Sequence, residues 1–426
     1  MEIRDKIDNS KLREESKEKS IPIVDLLMEK LINLTQKEKE GYTLLAVCPN
    51  SENVLNAAIR SAKRANAPIM FAVTLNQVDA DGGYTGWTQN DLIRKIKEIS
   101  YSIGFNGPII TGIDHGGPWL KDIQAIERWS LDKCMSWIKK SFEDAIVAGY
   151  DLIHVDPTVD IFNEHIEIET VVDRTLQLIS HIENFRKSKR IAPISYEVGT
   201  EEVHGGLADM SVFNKFLHLL KEGLKQKGLD NIWPIFIVGK VGTDLYTTLF
   251  DINVAKDLVN TTSKNNSFLK GHYTDFVSNP EDYPKSGMGA ANVGPEFTML
   301  EYDALTELAK IEDELYKENK VGKKSNFKNV LENAIVKSNR WKKWLKNDEK
   351  NLDSLSAEKR ELIIKTCSRY VWAQPEVKLS QYELYKNLEQ NGIDCKSWVL
   401  IKIEAAIDKY FRNFNLIDLN EKLKIY

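Results

Sequence analysis

The sequence predicts a (β/α)8 TIM barrel followed by a C-terminal all-α extension, and three observations carry that prediction. Short apolar or β-branched runs alternate with longer amphipathic stretches from residue 42 to about residue 318,. Eight such runs occur, and eight strand–helix units over about 250 residues match a closed parallel barrel better than an open doubly wound sheet. The open-sheet alternative asks for GxGxxG after the first run, where "VCPNSEN" stands instead,.

In chain order the runs are "YTLLAVCP", "PIMFAVTL", "PIITGID", "LIHVDPT", "PISYEVGT", "IWPIFIVG", "FLKGHYTD" and "GAANVG". They are nearly continuous in apolar residues, as strands buried on both faces are. Between them stand helical patterns, among them "ENVLNAAIRSAKRA", "DLIRKIKEISYSIG", "LDKCMSWIKKSFEDAIVAG", "EIETVVDRTLQLISHIENF" and "MSVFNKFLHLLKEGLKQKG". Past about residue 325 the strand runs stop and only helical stretches follow. The polar, basic "ENKVGKKSN" marks the change. The expected division is an N-terminal extension over 1–40, the barrel over 41–322 and a helical extension over 323–426. The apolar faces of that extension need cover, with Trp341, Trp344, Trp372 and Trp398 read as core or interface anchors,.

Composition narrows the function. A chain of 426 residues with 42% hydrophobic and 28% charged residues can bury a large core,. Its 58 basic and 63 acidic residues leave a formal charge of −5 with no long block of one sign, which speaks against a nucleic-acid binder,. The four cysteines, Cys48, Cys134, Cys367 and Cys395, lack CxxC spacing, so neither a thiolate zinc site nor a disulfide framework is expected,. The charged N-terminus has no apolar stretch of the signal-peptide kind, and no apolar run approaches the roughly 20 residues of a membrane span. A soluble, cytoplasmic protein is expected, without membrane or nucleic-acid partners.

Chemistry in such a barrel collects where the strands end. The third run ends in Asp114 and His115, inside "IDHGGPW". His115, His204 and His272 fall at the ends of runs three, five and seven, and neutral imidazoles from alternate strands could converge on a catalytic zinc or another divalent metal,. A carboxylate at Asp114 could then move a proton at a substrate hydroxyl while the cation holds charge on a neighbouring carbonyl oxygen. Neighbours on a strand point to opposite sides, so Asp114 and His115 share a site only if the strand bends, which "GGP" permits. Glu201, three residues before His204, is a second candidate at the fifth strand end. Asn76, Gln77 and Tyr84 either line a sugar-sized pocket or form a turn with the glycines of "DGGYTG". His154 and Asp156 share a strand face, with Asp156 a candidate substrate-binding residue and a buried hydrogen bond inside the barrel the alternative,. Asn292 either meets a substrate hydroxyl or satisfies backbone groups.

The segments "NQVDADGGYTGWT", "GIDHGGPW", "IHVDPT", "YEVGTE", "GHYTDF" and "NVGPEFTMLEYDALTELAKIE", in this order, resemble the tagatose-bisphosphate aldolase Z subunits, the GatZ/KbaZ group, related to zinc-dependent class II aldolases. The resemblance runs from about residue 40 to the C-terminus. It implies an aldolase-like barrel with Asp114 as acid/base, His115 and His272 at zinc-ligand positions, and Asn292 at the strand-eight asparagine. Glu201 is the position the Z-type pattern shares. His204, in "GTEEVHGG", is more like the catalytic aldolases. The residues after His272, "YTDF", replace the small-residue phosphate loop of those aldolases,. Z subunits are described as stabilising a catalytic partner, and no Walker-type loop supports a kinase. Two functions follow as expectations: retro-aldol and aldol chemistry on a ketose or ketose phosphate, as cleavage or C4 epimerisation, or a non-catalytic subunit that activates a class II aldolase. A homo-oligomer is expected in either case.

Overall fold

The computed structural model describes all residues except 1–7, 9, 164, 200–209, 244–247 and 346–348. Eight parallel strands close on themselves in sequence order. They are β1 (Leu44–Val47), β2 (Ile69–Thr74), β3 (Ile109–Gly116), β4 (Leu152–Val155), β5 (Ser195–Gly199), β6 (Phe236–Val238), β7 (Phe268–Gly271) and β8 (Ala290–Val293). Each coincides with one of the eight apolar runs. Closure is made by β1 against β8, with Leu44 opposite Ala290 and Ala46 opposite Asn292.

Local chemistry sets the helix limits. Ser51 caps the helix Glu52–Ala65 through the Val54 N–H, and Thr88 and Asp91 form a reciprocal capping box on Gln89–Ile103,. Asn66, Gly104 and Gly149 end their helices in the left-handed conformation,. No described helix is long and apolar enough to cross a membrane.

Two N-terminal helices, Lys11–Lys19 and Ile23–Glu38, lie outside the barrel repeat. Arg13 ties the first of them to the N-terminal ends of β3 and β4, donating to the Ile109 carbonyl at 2.8 Å and pairing with Asp151 at 3.0 Å. At the other end of the chain the helix Cys395–Asn413 packs on Glu52–Ala65 and on the last barrel helix, Pro295–Lys317. Arg60 and Arg64 pair with its Glu404 at 2.5 and 2.6 Å. Tyr410 Oη donates to the Thr274 carbonyl and to Glu296 Oε2. The expected cover for the extension is therefore the barrel itself. Trp341 and Trp372 are buried, whereas Trp398 sits at the edge, 39% exposed.

Candidate metal centre at the barrel mouth

The Asp-His step at the end of β3 is built on a bulge. Register between β3 and β4 runs Gly112–Leu152 and Ile113–Ile153, then resumes at Gly116–Val155, so β3 carries one extra residue,. His115 absorbs it with φ +50°,. The bend is what lets Asp114 and His115 serve one site. The two following glycines have a steric cause: a Cβ on Gly117 would lie 1.7 Å from the Asp156 carbonyl oxygen, and one on Gly116 would lie 2.4 Å from the Phe142 ring. The backbones of the two strands touch there, and only glycine fits.

Strand alternation then gathers polar side chains from four strands. His154 and Glu197 stand opposite each other across β4 and β5. Lys270 and His272 are two residues apart at the end of β7. His154 Nδ1 accepts the His115 backbone N–H at 3.1 Å and lies 3.4 Å from Asp114 Oδ1 and 3.6 Å from Glu197 Oε1. His272 Nε2 lies 3.2 Å from Glu197 Oε1 and 3.6 Å from Asp114 Oδ1. Lys270 Nζ pairs with the other Glu197 oxygen at 2.6 Å. His115 Nδ1 meets Asp156 Oδ2 at 2.6 Å, and its ring centre is 4.6 Å from that of His272.

Asp114, His154, Glu197 and His272 are all buried, and each offers one ligand atom within 4.8 Å of the others. His115, His154 and Asp156 form a second group that shares His154. Burial opposes charge on Asp114, yet His115, His272, His154 and Lys270 together hold its carboxyl well below the usual carboxylate range,. Glu197 is equally desolvated, and Lys270 above all holds it down at about 2. Burial lowers His272 to about 4, against the pull of Asp114 and Glu197, so its imidazole is neutral at pH 7. Asp156, desolvated as well, is lowered by its bond to His115.

Of the residues singled out in the sequence, Asp114, His115, Asp156 and His272 come together here. Glu201 and His204 lie outside the described residues. Asn76, Gln77 and Tyr84 belong to a neighbouring loop network and not to this cluster. Asn76 donates to the Leu120 carbonyl and accepts from the Asp122 N–H. Gln77 accepts from the Thr74 N–H and donates to Asn50, which also accepts from Tyr84 Oη. The amides of Asn76 and Gln77 are thus taken up by the protein, and the turn is the better description. Asn292 is buried at the end of β8, and neither its amide oxygen nor its nitrogen has a hydrogen bond among the described residues.

Sequence reasoning passed over His154 as a donor and missed Glu197 and Lys270. A signal existed: an acid inside "SYEVG" and a lysine inside "FLKG" interrupt apolar strands, and Lys270 shares a face with His272,.

Among solved structures, the chain resembles a probable tagatose 6 phosphate kinase from Sinorhizobium meliloti at 21% identity and a TM-score of 0.72, over 87% of this chain and all of that one. It also resembles fructose-bisphosphate aldolase from Campylobacter jejuni at 11% identity and a TM-score of 0.56, over 93% and 95%. At these identities the likeness is one of fold. The family model described as D-tagatose-1,6-bisphosphate aldolase subunit GatZ/KbaZ-like matches residues 28–404, most of the chain, and the protein belongs to that family.

Proposed function

We propose that this chain carries out metal-assisted retro-aldol and aldol chemistry on a ketose or ketose phosphate, as cleavage or as C4 epimerisation. The observation that supports the reading is the buried group Asp114, His154, Glu197 and His272, with ligand atoms within 4.8 Å of one another at the C-terminal end of the barrel strands,. Imidazole and carboxylate are the donors that zinc takes in open catalytic sites. His154, Glu197 and His272 would hold zinc or another divalent ion, and His115 is a further donor from the overlapping group. Such an ion, when bound, polarises a carbonyl and stabilises negative charge on its oxygen.

The chain's own groups divide the remaining work. Asp114, ionised at neutral pH, accepts the proton of the C4 hydroxyl and returns it. Asp156 fixes the orientation of His115 by accepting from Nδ1,. Lys270 keeps Glu197 charged in the barrel interior. Asn292 offers an amide to a substrate hydroxyl.

A second reading, a subunit that stabilises a catalytic aldolase, draws on the family's description as an aldolase subunit. Leu379, Tyr382 and Ile401 add to it, since all three are at least 60% exposed on the C-terminal helices,. The two readings separate experimentally. His154→Ala and His272→Ala are expected to lose bound metal with circular dichroism unchanged. Asp114→Asn is expected to keep it and lose about 10²- to 10⁴-fold in turnover on fructose, tagatose or their phosphates. Full metal occupancy in both histidine variants refutes the metal centre. A wild type inert on every sugar that activates a class II aldolase, equally well as Asp114→Asn, establishes the subunit reading.

A further inference from the structure

Arg369 is the exception among the buried arginines. Arg174 and Arg186 each have a carboxylate close by, Asp160 at 2.9 Å and Glu183 at 2.6 Å. Arg369 is 8% exposed, and among the described residues no carboxylate lies at ion-pair distance from it. Its one hydrogen bond runs from Nη2 to Tyr370 Oη at 2.9 Å. Its other guanidinium nitrogens make none among the described residues. A guanidinium cannot shed its charge, and an enclosed cation without a counter-ion is costly. Stacking on Trp344 and Tyr370, at 5.3 and 4.9 Å, offsets only part of that,.

Two more cations surround the same ring. Arg340 lies 4.2 Å and Lys343 4.8 Å from the Tyr370 centroid. Both share one carboxylate, Asp122, at 2.6 and 3.3 Å. At ion-pair distance the three cations meet one carboxylate, Asp122, with the Asp275 carboxylate also within electrostatic reach of Arg369, so positive charge is in excess here in a chain whose net charge is −5.

This cluster stands over the barrel mouth. Tyr370 packs edge-on against Tyr84 at 5.2 Å, and Tyr84 Oη donates to Asn50, just past β1. Gln77 joins Asn50 to the Thr74 N–H, and Thr74 is the partner of Asp114 across β2 and β3. Besides the burial that raises it, the Cys48 thiol responds to both Asp114 and Arg369. The usual anion seat of such a barrel, the helix N-terminus after β8, is already filled. Asp275 Oδ1 accepts the Gly294 and Glu296 N–H groups there, at 2.9 and 2.8 Å.

We propose that the C-terminal extension supplies an oxyanion site to the barrel mouth, in which Arg369, flanked by Arg340 and Lys343, holds a phosphoryl group. Three clustered cations suit the roughly −1.5 to −2 of a phosphate monoester better than the −1 of a carboxylate, and a planar guanidinium fork suits phosphate geometry. The identification of its carrier as a ketose phosphate rests on the function proposed above.

The test titrates the full-length chain with inorganic phosphate, read by calorimetry, with zinc content measured on the same samples. Saturable binding is expected, displaced by sulfate and not by acetate, and weakened about 10-fold or more in Arg369→Gln. Arg369→Lys is expected to recover only part of it. Arg340→Gln/Lys343→Gln, at a partly buried and an exposed position, gives the same reading should Arg369→Gln not fold. No saturable binding in the wild type, unchanged affinity in these variants, or equal displacement by acetate overturns the proposal. A wild type that holds zinc but binds no phosphate refutes this site alone, whereas phosphate bound by a chain that takes up no zinc refutes only the metal centre.

Discussion

Lys270→Met isolates the electrostatics of the site. Lys270 is 1% exposed, Glu197 is fully buried, and the two meet at 2.6 Å. Methionine matches the aliphatic stem and removes the charge, which leaves Glu197 ionised in the barrel interior or forces a proton onto it. Among the described residues the other ion-pair partners of Glu197 are His154 and His272, and burial holds His272 down at about 4, so that ring brings no charge at pH 7.5. Removing one partner of a buried pair costs about 3–5 kcal/mol, a large share of the roughly 5–15 kcal/mol that stabilises a domain. Urea unfolding at pH 7.5 in chelator is the assay. The double variant Lys270→Met/Glu197→Gln should recover most of the loss, since a neutral pair of similar shape is often no less stable. Added zinc should restore the single variant in part, because a divalent cation beside Glu197 replaces the missing charge. A loss below about 1 kcal/mol, or a double variant no better than the single, refutes the argument.

Two further outcomes follow from steric and proton linkage. Gly117→Ala should destabilise the protein and weaken metal binding, because its Cβ would overlap the Asp156 carbonyl, whereas Gly322→Ala, with nothing within 4 Å, should be nearly neutral; thermal melts and metal titration compare the two. Glu301, on the last barrel helix, accepts from Ser51 and Asn53, and burial raises its pKa from 4.5 to about 7. The raised value means that its stabilising contribution is complete below pH 4.5 and is lost as pH rises through about 7,. At 1.36 kcal/mol per pH unit the full difference is about 3 kcal/mol. Urea melts of wild type and Glu301→Gln at pH 5 and pH 8 should show that extra loss in the wild type alone, and parallel pH profiles would contradict it.

The barrel was legible because a strand covered on both faces leaves an uninterrupted apolar run, and all eight runs became strands. The convergence of Asp114, His115 and His272 was legible because chemistry collects at strand ends. The bend that unites Asp114 with His115 could be foreseen only as a condition. Gly116 and Gly117 permit it, but the close approach of β4 that requires them depends on a register that no single strand encodes. Glu197 and Lys270 escaped for a related reason. A charge inside an apolar run announces burial, while its partner, 73 positions away, is chosen by strand order and pleat. Arg369 was hidden among aromatic residues read as core. Those residues do pack, yet the missing carboxylate beside the arginine is visible only in three dimensions.

Charge balance links the two ends of the mouth. Asp114, Asp156 and Glu197 bring three carboxylates around His154 against a single lysine, Lys270. A divalent cation would offset that excess of carboxylates. The cations around Arg369 outnumber the carboxylates beside them, and the proposed phosphoryl group would offset that excess,. On the proposed function, a ketose phosphate would bring a carbonyl to the first pole and an anion to the second. The order of the chain then acquires a physical reason: the barrel supplies the acids and imidazoles, and the helices after residue 325 bring the guanidinium that the barrel, with Asp275 already filling its own anion seat, no longer provides.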